Sequence, residues 1–279
     1  MLELGVIMSM SGDLDEKFKK VHDLGLTSCQ LSNYEPSVFT DENAAIVNEC
    51  SKKYGVRVSA LWCGWPGPKV WNFVEGPATL GIVPVAYRFE RVKMLLKGGE
   101  FALKIGVTDV ATHAGFIPEN PSTTEYLDVV GCIKHIAKNY LDKGLYFLFE
   151  TGQETPTTLL RLIEDVGTGN LGINLDPANL LMYGKANPCD AVDIFGKYIR
   201  NVHGKDGNYP TDGRSLGREA RMGDGKVNYP ELMRRLKAAG YNGPITIERE
   251  IKGDKQVEDI LHAKAMLTAL YSEIYGEEA

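Results

Sequence analysis

Several common signatures are missing from this chain. It has five cysteines, an odd number, and no two of them stand at CxxC spacing, which argues against a zinc knuckle or a disulfide framework and fits reduced thiols in a cytoplasmic protein. It has no excess of positive charge: 31 Lys and Arg against 37 Asp and Glu leave a formal net charge of −6. A phosphate backbone needs a basic face, so nucleic acid is not the expected partner, and an anionic membrane surface is disfavoured on the same ground. No apolar run approaches the roughly 20 residues of a membrane span. The opening stretch "MLELGVIMSMSGDLDEK" lacks a basic region and soon turns acidic, unlike a signal peptide. No GxGxxG follows the first strand-like run, and "MSMSGDLD" is a poor phosphate loop.

What is present is a rhythm. Short β-type runs at 2–8, 26–32, 56–62, 107–113, 145–150, 171–176, 199–203 and 244–250 alternate with helical patterns near 13–24, 41–54, 84–105, 123–143, 155–166, 188–197, 228–239 and 254–275. "TDENAAIVNECSKKYG" carries a Thr40 or Asp41 cap, an acidic first turn and a stop at Gly55. "NYPELMRRLKAAG" carries Asn228 as cap, Pro230 in the first turn and Gly240 as stop. A helix–Gly–strand join recurs in "KYGVRVSAL", "KIGVTDVAT" and "DKGLYFLFE". About eight strands alternating with about eight helices over 279 residues predict an α/β fold, a (β/α)8 TIM barrel forming a single domain over 1–279. Two long loops, 63–83 and 204–227, stand out as candidates for function.

In such a barrel the strand ends converge on one face. Strand five ends in Glu150, strand six in Asp176, strand seven in His203 and strand eight in Glu248, with Glu250 two residues on. Any one of these has a plain structural explanation; Asp176, for example, can cap the turn "DPAN". Four successive strands presenting carboxylate, carboxylate, imidazole and carboxylate point instead to a metal site. Three hard oxygens and one nitrogen suit a divalent ion, Mn2+ first, with Mg2+, Co2+ or Zn2+ also compatible. Alternation along "ITIE" favours Glu248 over Glu250.

These motifs, "FLFETG", "NLDPANL", "VHGKD" and "GYNGPITIE", resemble the xylose-isomerase-like barrel superfamily, which holds sugar and sugar-phosphate isomerases and epimerases, inosose-converting enzymes and endonuclease IV. By resemblance to its ketose epimerases, Glu150, Asp176, His203 and Glu248 would bind one divalent ion, and Glu150 and Glu248 would act as acid and base. Endonuclease IV resembles the chain at "THAG", but it needs a histidine where Asn179 stands and further ligands that "GRSLGREARMGDG" does not supply. A three-metal nuclease is therefore disfavoured.

The expected activity is a metal-dependent isomerase or epimerase acting on a sugar, sugar phosphate or polyol by proton abstraction next to a carbonyl, through an enediolate. The alternative is a dehydratase or lyase on a keto-sugar or keto-glycoside; a non-catalytic sugar-binding barrel is further off. Expected substrate contacts are His113, Trp65, Gln153, Asn179, Lys205 and Arg218, with Arg221 beside the last as a candidate phosphate contact. For Lys205, Arg218 and Arg221 the plain alternative is a solvated loop with ordinary charge. His22, His135 and His262 sit in helical patterns and read as surface or core residues. Barrels of this group often pair, so a homo-oligomer through apolar side chains of the long loops is compatible with the sequence.

Overall fold

A computed structural model describes residues 2–276. Its strands are β1 Leu4–Ser9, β2 Ser28–Asn33, β3 Arg57–Cys63, β4 Asp109–Thr112, β5 Tyr146–Glu150, β6 Leu171–Leu175, β7 Ile199–Gly204 and β8 Ile245–Ile247. They close into a parallel barrel in the order β1-β8-β7-β6-β5-β4-β3-β2. The main helices between and after them are α1 Leu14–Asp23, α2 Asp41–Tyr54, α3 Val85–Lys104, α4 Thr124–Leu141, α5 Pro156–Val166, α6 Pro188–Phe195, α7 Tyr229–Ala238 and α8 Asp254–Tyr275. The fold is the TIM barrel that the alternation predicts, with strand boundaries differing by at most three residues.

The helix signals act as read. Thr40 Oγ1 accepts from Asn43 N at 3.1 Å, and Gly55 ends α2 at φ 64°. Asn228 Oδ1 accepts from Glu231 N at 3.3 Å, opening α7. The helix stop at Gly55 requires the left-handed region that only glycine enters without strain. No helix among the described residues is long and apolar enough to cross a membrane.

Alternation along each strand divides the core in two. On β5, Phe147 and Phe149 belong to the apolar layer under the helices, whereas Leu148 packs with Trp62 and Ala111. Glu150 shares the parity of Leu148 and so faces the barrel axis. The same alternation turns Gln30, Asn174, Asn201, His203 and Thr246 inward, and each is at most 1% exposed. The lumen is therefore polar near its top, while the seam between strands and helices is hydrophobic.

The two long loops are built differently. Residues 64–83 form a coil with one short helix, Gly76–Thr79, anchored by the buried Arg91, whose guanidinium donates to Gly81 O and to Pro68 O. Residues 205–227 form a two-stranded antiparallel ribbon, Asp206–Gly207 against Glu219–Ala220, closed by the Asp206 carboxylate. That carboxylate accepts from four backbone amides: Gly207 at 2.8 Å, Gly223 at 2.9 Å, Gly225 at 3.1 Å and Val227 at 3.0 Å.

Candidate metal centre and active site

Four side chains meet where β5 to β8 end. Glu150 is the last residue of β5, Asp176 follows β6, His203 lies in β7 and Glu248 follows β8. One ligand atom from each lies within 4.8 Å of all the others, and among the described residues this is the one such group. His203 Nδ1 stands 2.9 Å from Glu248 Oε2, 3.3 Å from Glu150 Oε1 and 3.5 Å from Asp176 Oδ2.

Asp176 is both a helix cap and a member of the cluster. Its Oδ1 accepts from Asn179 N at 2.8 Å and caps the short helix Pro177–Met182, which leaves Oδ2 for the cluster. Three atoms of the cluster, His203 Nδ1, Asp176 Oδ2 and Glu248 Oε2, are buried without a hydrogen-bond partner. Unpaired buried acceptors are costly, and negative charge accumulated at this density calls for a cation. Burial alone would push the His203 imidazole down; Glu150 and Glu248 instead hold it well above its ordinary range. The donor set of three carboxylates and one imidazole fits a divalent ion.

The layer behind the cluster sets its tautomer. Gln30 Oε1 lies 2.7 Å from His203 Nε2. An amide oxygen only accepts, so Nε2 carries a hydrogen and Nδ1 is the nitrogen turned to the carboxylates. The Asn174 amide is 2.9 Å from the same nitrogen, and its oxygen and nitrogen exchange by rotating the group.

Glu150 is held on both of its oxygens. Oε2 accepts from Trp62 Nε1 and lies 3.5 Å from His113 Nε2. Oε1 accepts from Asn179 Nδ2 at 3.3 Å. Burial pushes the Glu150 carboxyl up, but the positive ends of His113, His203 and Lys205 outweigh it and bring it down to about 2. Lys205 is itself 2% exposed and sits among acids: its Nζ is 2.6 Å from Glu250 Oε1, 3.5 Å from Glu248 Oε2 and 3.6 Å from Asp176 Oδ2. Against the cost of burial, these carboxylates hold the ammonium well above its ordinary range.

A cavity of about 420 Å3 opens above the cluster, and Glu150, Glu248, His113, Asn179 and Lys205 line it. Other expected contacts lie elsewhere. Trp65 is 1% exposed and stands behind the wall; the indoles that reach the cavity are Trp62 and Trp71. Gln153 is buried beneath the rim with both amide atoms unpartnered. Arg218 lies in the ribbon loop outside the cavity lining, and Arg221 pairs with Asp224 at 2.9 Å in the exposed part of that loop. His22 and His262 bond the backbone carbonyls of Tyr54 and Met222, away from the cluster, and His135 is exposed. Sequence reading missed Gln30, Asn174 and Trp71. Asn174 was detectable as a polar residue at an inward position of the otherwise apolar "LGINL"; Gln30 sits in the more polar "SCQLSN", where only strand alternation marks it as inward.

Barrel closure, the acid–imidazole cluster at the strand ends and the cavity above it together define a (β/α)8 protein with a candidate site at its C-terminal mouth. The chain belongs to the xylose isomerase-like TIM barrel family, whose model matches residues 18–270. It is 32% identical to a xylose isomerase domain protein from Planctomyces limnophilus, with a TM-score of 0.92 over 98% of this chain and 99% of that one. It is 22% identical to a D-tagatose 3-epimerase-like protein, with a TM-score of 0.77 over 98% of each chain. It is also 31% identical to an uncharacterized protein of Methanocaldococcus jannaschii over 193 residues, 64% of this chain, and the match spans 61% of that relative's length.

Proposed function

We propose that the protein is a divalent-metal-dependent isomerase or epimerase of a sugar or polyol, acting by proton transfer next to a carbonyl. The observation that carries this reading is the pair Glu150 and Glu248. They come from strands three apart around the ring, both line one cavity, and both approach the same imidazole nitrogen. The likeness to a D-tagatose 3-epimerase-like protein supports the same class.

Glu150, Asp176, His203 and Glu248 would hold the ion, with Mn2+ the first candidate. When bound, it would supply positive charge to the oxygens of an α-hydroxy carbonyl compound and so acidify the C–H between them. The protein's own groups do the rest. One glutamate takes that proton on one face of the carbon, and the other returns a proton from the opposite face. Return to the opposite face of the same carbon inverts it; return to its neighbour moves the carbonyl. Trp62 and Asn179 donate to the Glu150 carboxylate, while His113 bonds the Glu150 backbone carbonyl through Nδ1 and stands 3.5 Å from the carboxylate through Nε2, so the carboxylate's orientation is set before substrate arrives. A cytoplasmic location belongs to this reading and is supported by five free cysteines, four of them buried.

The test is solvent-deuterium incorporation over a panel of ketoses, with wild type beside Glu150→Gln and Glu248→Gln. Incorporation at one carbon, lost in both variants, is the expected result; product analysis then separates inversion, carbonyl migration and elimination. Wild-type turnover in both variants would contradict the pairing.

A further inference from the structure

We infer that the cavity takes an uncharged polyhydroxy carbonyl compound, a free sugar or a glycoside, seated against the Trp62–Trp71 wall, and excludes sugar phosphates and sugar acids. This rests on the proton-transfer reading above and narrows its substrate.

The first support is the charge of the walls. Glu150, Glu248 and Glu250 line the cavity, and Asp176 lies in the cluster at its floor. Among the described lining residues the cations are Lys205 and Arg249, and both are committed. Lys205 lies within 3.6 Å of three carboxylates. Arg249 pairs with Glu219 at 2.6 Å and with Asp259 at 2.9 Å. With a divalent ion in the cluster and Lys205 charged, four carboxylates still leave the cavity negative. A phosphate needs a free arginine fork, a free ammonium or an open helix N-terminus. The short helix Pro177–Met182 at the mouth does not offer one, because Asp176 already caps it. Barrels that bind phosphate place it beside strands seven and eight; here that sector presents Glu219 and Glu250, with Glu219 Oε1 accepting from Glu250 N at 3.0 Å. Lys69 is outside the lining, exposed at the rim, with its ammonium over the Tyr34 ring.

The second support is aromatic. The chain has three tryptophans, and all three meet here. Trp65 lies 6.2 Å from Trp62 and 6.0 Å from Trp71, backing both. Trp71 is 39% exposed and stands 5.2 Å from the His113 ring at the cavity edge. A half-open indole beside a polar floor is a surface on which the C–H face of a pyranose or furanose stacks, while its hydroxyls turn to the carboxylates. A wall of this kind selects ring faces and gives a phosphate no contact.

The test is calorimetric titration of the Mg2+-loaded full chain with free ketohexoses and their methyl glycosides, and with the corresponding 6-phosphates. Deuterium exchange is followed on the same compounds. We expect free sugars or glycosides to bind at least about tenfold tighter than their phosphates. Trp71→Ala should weaken them about five- to tenfold, and Trp71→Phe should restore most of the loss; Trp71 is on an exposed loop, so neither variant threatens the fold. Tighter binding of the phosphates would overturn this inference, and exchange into them would leave the proton-transfer chemistry standing. Binding of neither class, with no exchange anywhere, would overturn both.

Discussion

Gln30 and His203 face each other across the lumen, 2.7 Å apart, from β2 and β7, with β1 and β8 between them in the barrel order. The contact joins a strand outside the acid–imidazole cluster to the one that contributes the cluster's single nitrogen. It keeps hydrogen on Nε2 and so aims Nδ1 at the three carboxylates. The prediction is that Gln30→Met, close in volume but without an acceptor, lowers metal affinity by about 10- to 100-fold with little change in fold. A competition titration against a metal-sensitive dye measures it. Unchanged affinity would mean that the imidazole is oriented by its packing alone.

Asp206 organises the loop after β7 from a position 1% exposed. Four amide donors converge on it, and a Cβ at Gly225 would meet its Oδ1 at 2.0 Å. Asp206→Asn keeps the shape but turns an amide nitrogen toward backbone donors. The expected cost is about 3 kcal/mol in urea unfolding, together with faster proteolysis within 208–227. Gly225→Ala should loosen the same loop. A wild-type cleavage pattern in both variants would show that the ribbon stands without its carboxylate.

Glu154 lies beneath the rim with both carboxyl oxygens buried and unpartnered, and burial pushes it from 4.5 up to about 8. The folded protein therefore keeps the proton over a range in which the unfolded chain has lost it. Folding stability from this group falls as pH rises from about 4.5 to about 8. Glu154→Gln removes that dependence. Relative to wild type, the variant should gain stability with rising pH, on the order of a few kcal/mol by pH 8. Thermal unfolding at pH 5 and pH 8.5 checks this; a difference that is the same at both values would contradict it.

Much of this was legible in the chain because local signals repeat. Each helix–Gly–strand join marks the same turn, and eight strand–helix repeats leave little choice but closure. The clustered side chains were legible for a related reason: each strand end interrupts an apolar run with one acid or imidazole. Glu150, Asp176, His203 and Glu248 could be named from that pattern alone. The walls were harder to read. Trp62 and Trp65 are three residues apart, and only the path of the 64–83 loop, held by Arg91, decides that Trp71 reaches the cavity while Trp65 backs it. Lys205 looked like a free cation until β8 brought Glu248 and Glu250 to it from 43 and 45 positions away. Arg218 was placed by its closeness in sequence to His203, but the ribbon closed by Asp206 sets its position outside the cavity lining.

The most direct test of the account is the metal content of the purified chain after loading with Mn2+ and desalting, with wild type beside His203→Ala and Asp176→Asn. Three buried, unpartnered atoms facing one another predict close to one ion per chain in wild type, and loss of most of it in both variants while the fold is kept by circular dichroism. A wild-type protein that retains no ion, or variants that hold it as well as wild type does, would contradict the metal centre and with it the chemistry built on Glu150 and Glu248.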